Sequence, residues 1–165
     1  MKRLLILSPI ILLCLAIMAC KLDNDLAPDT MSTENNRNNQ IDTTKNRSLG
    51  SPMKIRVSSS TFTAILLNNE TATAFKTRLP MTIEMNELNG NEKFHRLPSN
   101  LPIKPANPGT IQTGDLMLYG SNTLVLFYKT FRTSYSYTKL GRIDDPSGLA
   151  AALGSGNVTV SFALE

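Results

Sequence analysis

Cysteine and histidine are nearly absent from this chain: Cys14 and Cys20 are its only cysteines, and His95 is its only histidine. Cys14 lies in an apolar run at the start, and Cys20 is expected to carry lipid, as argued below. The remaining chain then has no free thiol, no disulfide and no cysteine-based or multi-histidine metal site. A Ser-His-Asp triad would depend on His95 alone, and no Gly-x-Ser-x-Gly motif occurs. We therefore expect no metal and no cofactor, and nothing in the sequence supports hydrolase chemistry.

A strong charge of one sign is also missing. The formal net charge is +4 at pH 7, and it falls to +2 when Lys2 and Arg3 are removed with the leader described below. Tryptophan is absent, and no basic cluster is interleaved with aromatic residues. These features argue against nucleic acid as a partner, because nucleic-acid binding needs a concentrated basic surface.

The chain opens with the leader MKRLLILSPIILLCLAIMAC, in which two basic residues precede an apolar run from Leu4 to Ala19. The run is shorter than the roughly 20 residues of a membrane-spanning helix, so residues 1–19 are interpreted as a signal peptide. Its end, Ile17 to Cys20, resembles the lipobox of bacterial lipoproteins. The resemblance implies cleavage before Cys20 and attachment to a membrane through acyl chains. The alternative is an ordinary secretory signal with a chance cysteine.

Residues 20–52 are rich in Asn, Asp, Thr and Ser and have almost no aliphatic periodicity. Such a segment buries too little surface to offset its ordering entropy, so it is expected to be a flexible stalk after the lipidated cysteine. A random coil of this length spans roughly 30 Å. Asp23 and Asp25 resemble a surface-export signal of some bacterial lipoproteins, although they also fit a plain polar stalk. We expect a protein anchored in the bacterial envelope, at the outer membrane or cell surface rather than the inner membrane.

The first half of residues 53–165, which have the size of one compact domain, alternates between strand and turn signals. A hairpin is expected around Ser58 to Ser60, and a short helix from an Asn69 N-cap to a stop at Pro80. Strands are expected in MTIEMNEL and EKFHRLP on either side of the turn NGN, Asn89 to Asn91. The acidic residues near this turn, Glu84, Glu87 and Glu92, are expected to be solvated.

The second half begins with a proline-rich loop and continues with more strand patterns. Strands are expected in DLMLY, TLVLFYKTF, SYSYTKLGRI and NVTVSFALE. A second short helix is expected with Asp145 as N-cap, Pro146 at its first position and Gly154 after its end. Many short strands with two small helices indicate a mainly β domain. A closed barrel is the favoured packing because closure removes exposed strand edges, and an open sandwich is the alternative.

Three segments in order resemble cyclophilins: KFHRLP, then IQTGDLMLYG, then YTKLGRIDDPSGLAAAL. The chain is still more similar to a small bacterial cyclophilin-like family, judged by LNGNEKF, NPGTIQTGDLMLYGSN, LVLFY and TSYSYTKLGRIDDPSGLAAALGSG. The resemblance implies a closed barrel of about eight strands with two short helices. It implies no settled activity, because this family is largely uncharacterised.

The same resemblance places two residues at a candidate catalytic site. Arg96 would match the arginine with which cyclophilins donate to the proline nitrogen during prolyl isomerisation, and Gln112 would match the neighbouring glutamine. The apolar residues that seat the proline ring are not recognisable, since GTI stands before Gln112 where cyclophilins have Phe-Met, and tryptophan is absent. An isomerase that uses Arg96 is therefore the alternative and not the first hypothesis.

The strand EKFHR also predicts which side chains face the barrel. Side chains alternate along a strand, so Phe94 and Arg96 share one face and His95 lies on the other. If Phe94 packs inward, Arg96 lies at a barrel opening and His95 lies outside. A solvated arginine at a strand end is the simpler alternative.

Aromatic, hydroxyl and basic residues are concentrated in FYKTFRTSYSY, Phe127 to Tyr137. This composition is common in ligand clefts, although it also fits cross-strand packing and a turn. The tentative cleft residues are Arg96, Gln112, Tyr119, Phe131 and Tyr135. The favoured function is a lipid-anchored binding module for a small molecule or peptide. The alternatives are a divergent prolyl isomerase and a structural or assembly partner of another envelope protein.

Overall fold

Ten β-strands and two short helices make up residues 50–165, the part of the chain that the computed structural model describes. The strands are β1 Gly50–Val57, β2 Ser60–Leu67, β3 Met81–Leu88, β4 Glu92–Arg96, β5 Thr110–Ile111, β6 Asp115–Tyr119, β7 Thr123–Phe127, β8 Phe131–Arg132, β9 Thr138–Ile143 and β10 Val158–Leu164. The helices are α1 Glu70–Lys76 and α2 Leu149–Leu153. The expected signal peptide, the lipid-attachment residue Cys20 and the expected stalk up to residue 49 lie outside the described residues. Neither helix within residues 50–165 is long and apolar enough to cross a membrane.

Eight of the strands close into an antiparallel barrel in the order β1-β10-β3-β4-β7-β6-β9-β2. The remaining two, β5 and β8, pair with each other outside the barrel through Thr110 with Arg132 and Ile111 with Phe131. The closed barrel expected from the sequence is confirmed, and the open sandwich is excluded.

Local signals at the first hairpin and at α1 produce the expected elements. β1 and β2 pair along their whole length around a turn in which Ser58 has a φ of 51°. β1 begins at Gly50, so residues 50–52 belong to this strand and not to the expected stalk. The Asn69 side chain accepts a hydrogen bond of 2.8 Å from the Ala72 N–H, which confirms the expected N-cap of α1.

The second helix begins later than the sequence predicts. Asp145 does not cap it, because its Oδ1 accepts from the N–H of Ser147 at 3.0 Å and so closes a turn of its own. The helix starts only at Leu149, after Gly148 in the left-handed conformation with a φ of 78°. Gly154 follows the last helical residue, as expected.

Two expected strands are interrupted because the chain leaves the barrel between them. β7 ends at Phe127, β8 belongs to the small outer sheet, and β9 starts only at Thr138. Tyr128 still packs against the interior, but the following residues 129–137 do not continue the barrel wall. They form a segment over its outer surface, which becomes part of the site described below.

Apolar side chains pack on both sides of one part of the barrel wall. The interior cluster takes residues from all the barrel strands except β4 and from both helices, and Phe75 of α1 meets Phe162 of β10 edge to face at 6.2 Å between ring centroids. A second cluster lies on the outer face and consists of Ile111, Met117, Val125, Phe127 and Tyr137, with Phe94 and Phe131 against it. Burial on both faces explains why β6 and β7 are nearly continuous apolar runs instead of alternating ones.

Candidate functional site

The side chains of β4 that were expected to face the barrel interior face outward, and those that were expected to face outward point inward. Phe94 pairs with Val125, which belongs to the outer cluster, whereas His95 pairs with Leu124, which belongs to the interior cluster. Phe94 and Arg96 are therefore on the outer face and His95 is on the inner one. The expectation failed because it assumed that an apolar residue must face the interior, while here a second cluster covers the outside. The His95 Nδ1 lies 2.8 Å from the carbonyl oxygen of Glu84.

The outer face of β4 and β7 forms the floor of a cleft, arranged as three cross-strand rows. Arg96 pairs with Thr123, which pairs in turn with Tyr119 of β6. Phe94 pairs with Val125 in the next row, and Glu92 pairs with Phe127 in the last. Because side chains that are directly opposite share a face, Arg96 marks one end of this floor and Glu92 the other.

Aromatic side chains of the outer segment form the wall of the cleft. The ring of Tyr119 contacts Tyr135 edge to face at 6.1 Å and Tyr137 at 5.5 Å. The ring of Phe127 contacts Tyr137 at 5.5 Å and Phe131 at 5.8 Å. The cleft has a volume of about 540 Å³. It is lined by Leu88, Asn89, Asn91, Glu92, Phe94, Arg96, Tyr119, Thr123, Val125, Phe131, Arg132, Thr133, Ser134, Tyr135 and Tyr137.

Glu92 is a buried acid in this cleft and not the solvated residue expected from its place beside a turn. Its exposed fraction is 8%. Burial and the charge of Glu87 raise the pKa of Glu92 to about 7. Burial, followed by the charge of Glu92, also raises the pKa of Tyr137. The cleft therefore contains a carboxyl group that changes charge near neutral pH.

Behind Glu92, on the inner face of the same strand, Lys93 is fully buried and fully hydrogen-bonded. Its Nζ donates to Glu87 Oε2 and to the carbonyl oxygens of Gly154 and Gly156, and it lies 5.4 Å from the centre of the Tyr128 ring. The Tyr128 hydroxyl donates to both carboxylate oxygens of Glu87 at 2.9 Å. Glu87 is thus a second acid that is not simply solvated.

The hydrogen bonds around Glu87 set the charge states of this inner cluster. Burial by itself would raise the pKa of Glu87, but the hydrogen bonds from Lys93, Tyr128 and the Gly90 N–H outweigh it and lower the pKa. Burial, together with the hydrogen bond to Glu87, raises the pKa of Tyr128 to about 12. An ionised Glu87 therefore accepts hydrogen bonds from Lys93 and from a neutral Tyr128.

The structure brings four of the five tentative cleft residues together: Arg96, Tyr119, Phe131 and Tyr135 line the same cleft. Gln112 is not among the lining residues. It lies in the turn between β5 and β6, where its N–H donates to Asp115 Oδ2 at 2.8 Å and its carbonyl accepts from the Asp115 N–H at 3.0 Å. The arrangement of arginine and glutamine implied by the cyclophilin resemblance is therefore absent from the cleft.

Sequence reasoning missed Glu92, Asn91 and Tyr137 as cleft residues. One signal was available for Glu92, because it lies on the same strand face as Phe94 and Arg96. The residues between 50 and 165 also contain no cluster of His, Asp or Glu side chains suited to a metal ion.

A second groove lies on the other side of Tyr137, under the proline-rich loop. Its volume is about 760 Å³, and its charged residues, Glu70, Lys104 and Lys139, are all exposed. The smaller cleft is the better candidate because it combines aromatic walls, an arginine and a buried carboxyl group, which is the usual composition of a binding site.

Comparisons with known proteins agree with this fold. The model of a family described as the cyclophilin-like family matches residues 55–163. Among solved structures, the solution structure of a hypothetical protein from Archaeoglobus fulgidus is similar, with a TM-score of 0.55 at 16% sequence identity, over 71% of this chain and 96% of that chain. At this identity the similarity shows the fold alone. No curated protein matches the chain in sequence. Because the family model spans most of its length, the chain belongs to the cyclophilin-like family.

Proposed function

We propose that the barrel is a binding module, and that the cleft on its outer face holds a small extended molecule or short peptide. One observation carries the proposal: Arg96, a row of aromatic side chains and the buried Glu92 converge on one concave surface. Such surfaces bind an apolar body by burial and orient it with a few polar groups.

The exposure of the aromatic wall supports a role in binding more than in folding. Tyr135 is 62% exposed and Tyr119 is 47% exposed, although both are large rings that contact each other. A ligand lying over Phe94 would bury these rings further, and burial of aromatic area is a main source of binding free energy.

Arg96 gives the proposed ligand a charge preference. It is exposed at the end of β4, beside Thr123 and Tyr119. A guanidinium group presents a planar fork of donors that matches a carboxylate or phosphate. We therefore assign the Arg96 end of the cleft to an anionic group of the ligand.

The anchor is the second part of the proposal. Lipid attached at Cys20, followed by a polar stalk, would hold the barrel at a bacterial membrane surface, where the cleft can meet a ligand of the envelope. The support is the lipobox-like sequence Ile17 to Cys20 and the polar composition after it.

The binding proposal is tested with the peptide N-acetyl-Ala-Phe-Phe-Ala, which offers two aromatic rings and a single carboxylate. We expect calorimetry to detect binding that Arg96→Ala and Tyr119→Ala each weaken at least tenfold. Arg56→Ala is the matched control, because Arg56 is an exposed arginine of β1 outside the cleft. Equal binding by all variants would place the peptide elsewhere and contradict the proposal.

A further inference from the structure

One end of the cleft holds two acceptor groups that the described residues leave without a donor. The side-chain oxygen Oδ1 of Asn91 is buried and has no hydrogen-bond partner within residues 50–165. Glu92, its neighbour, is 8% exposed and takes part in none of the ion pairs found in the same residues. Both residues line the cleft.

Acceptors without a donor are unusual at such positions, because folded proteins almost always supply hydrogen-bond partners for buried polar groups. Buried polar atoms are nearly always hydrogen-bonded, and buried charges are nearly always paired. Here the Asn91 oxygen has no partner, and the adjacent Glu92 has no cationic partner when it is ionised; both residues lie at a concave surface and not within the barrel interior. A cationic donor that enters the cleft from outside would give the ionised Glu92 a partner, next to Asn91, whose side-chain oxygen also lacks one.

Lys93, the residue after Glu92, shows that the fold supplies partners for a buried charged group on the other face of this strand. Lys93, on the inner face, has three oxygen partners and no exposed surface. The missing partner of Glu92 is therefore specific to the cleft side of β4.

The charged and titratable groups around Glu92 also leave a place for a cation. Those that interact with it are Glu87 on β3, Tyr128 after β7 and Tyr137 before β9, and none of them is a cation. The two arginines of the cleft, Arg96 and Arg132, form no ion pair with it. A carboxyl group that forms no ion pair with a cation of the described residues favours an ammonium or guanidinium group of a ligand.

We propose that Asn91 and Glu92 form a subsite that recognises the ammonium or guanidinium group of the ligand. The inference rests on the proposed binding function and specifies its ligand class. Arg96 lies four residues further along the same strand face, which is about 13 Å at ~3.3 Å per residue. The ligand is therefore amphoteric, with a cationic group at Glu92, an apolar body over Phe94 and an anionic group at Arg96.

The test compares matched probes on the purified protein at pH 8. Butylammonium carries only the proposed group, and 1-butanol is its uncharged counterpart. We expect butylammonium, and not butanol, to shift the amide resonances of Asn91 and Glu92 in a saturable way. Glu92→Gln should weaken this binding at least tenfold. Glu84→Gln, at an exposed glutamate of β3 outside the cleft, should leave it unchanged.

The pH dependence provides a second readout. The ammonium stays charged up to about pH 9, whereas Glu92 gains its charge as the pH rises through about 7. Butylammonium binding should therefore strengthen between pH 5.5 and pH 8.5 in the wild type and stay flat in Glu92→Gln. A flat profile in the wild type would overturn the subsite.

Peptide probes distinguish failure of this inference from failure of the binding function. Ala-Phe-Phe-Ala with a free amino terminus should bind at least tenfold more tightly than its N-acetyl form, and Glu92→Gln should abolish the difference. If butylammonium binds but the peptides show no difference, the subsite takes a small amine and not a peptide terminus. The remaining outcome is that the acetylated peptide binds through Arg96, butylammonium does not bind, and a free amino terminus does not strengthen peptide binding. In that case the binding function stands and the cation subsite is wrong.

Discussion

The ammonium group of Lys93 lies inside the barrel and donates to a carboxylate oxygen of Glu87, with no exposed surface on the lysine. The same Nζ also reaches the carbonyls of Gly154 and Gly156, which follow α2. One side chain of β4 thus connects β3 to the loop before β10.

The first prediction concerns this buried pair. Lys93→Met should lower the free energy of unfolding by about 2–3 kcal/mol, because it leaves the partly exposed Glu87 carboxylate without its cation and two carbonyls without a donor. Lys54→Met is the matched control, since Lys54 pairs with Glu165 at 3.7 Å on the surface with 56% of its side chain exposed. Loss of such a surface pair should cost less than about 1 kcal/mol in urea denaturation. Similar losses in the two variants would show that the Lys93 cluster does not stabilise the barrel.

The second prediction is that Glu92→Gln stabilises the free protein at pH 8. The pKa of Glu92 is about 7 in the folded state, against an ordinary value of 4.5, so between these values the folded state binds more protons than the unfolded state. Its contribution to stability is therefore fully present below pH 4.5 and is lost as the pH rises through about 7. At ~1.4 kcal/mol per pKa unit, the variant should gain about 3 kcal/mol at pH 8.

The control for this prediction is the same comparison at lower pH, where Glu92 is protonated and resembles glutamine. The advantage of Glu92→Gln over the wild type should then fall to less than about 1 kcal/mol at pH 5. A variant that is less stable than the wild type at both pH values would mean that Glu92 makes stabilising contacts in the folded protein.

The third prediction separates the aromatic wall from the core. Tyr135→Ala should change the unfolding free energy by less than about 1 kcal/mol, because the ring is mostly exposed. Phe75→Ala should cost about 3–5 kcal/mol, because Phe75 is fully buried against Phe162. Binding of N-acetyl-Ala-Phe-Phe-Ala should nevertheless weaken in Tyr135→Ala. A large loss of stability in this variant would assign Tyr135 to the fold and not to the site.

The fourth prediction is that the protein does not accelerate prolyl isomerisation. Arg96 lies in the cleft, but Gln112 is held in the turn with Asp115 and is not a cleft residue. The barrier to cis/trans rotation about a peptide bond is about 18–20 kcal/mol, and an isolated arginine is expected to lower it only slightly. In a proline-peptide assay the rate with protein should equal the rate without it. An acceleration that Arg96→Ala removes would restore the enzyme hypothesis.

The fifth prediction concerns the anchor. In bacterial cells, the wild type should incorporate labelled palmitate and sediment with membranes, and Cys20→Ser should do neither. Cys14→Ser is the matched control, because Cys14 lies within the expected signal peptide and should not affect lipidation. Membrane sedimentation of Cys20→Ser would contradict a lipid anchor at this residue.

Much of the barrel was predictable because its signals are local. The turn at Asn89 and Gly90 has positive φ at both residues, which is the conformation that an Asn-Gly sequence favours between two strands. Asn69 caps α1 by the ordinary hydrogen bond. The closure of the barrel followed from the need to remove sheet edges and from the family resemblance, whereas the order of its strands came from the structure.

The site was only partly predictable because it depends on packing on the outer face. An alternating strand shows that Phe94 and Lys93 face opposite sides, but not which side is the interior. The rule that charged residues point to solvent assigns Lys93 outward, whereas oxygens from β3 and the loop after α2 bind it inside. The burial of Glu92 was not predictable for a related reason, since the cleft that it lines is completed by residues 131–137 from a distant part of the chain.

We propose that the ligand binds in the outer cleft, and not in the larger groove under the proline-rich loop. The most direct measurement is the map of amide shifts caused by Ala-Phe-Phe-Ala with free termini. We expect shifts concentrated in β4, β7 and residues 131–137, with Glu92 and Arg96 at opposite ends of the affected region. Shifts centred on Ile103 and Lys104, which line the larger groove, would contradict it.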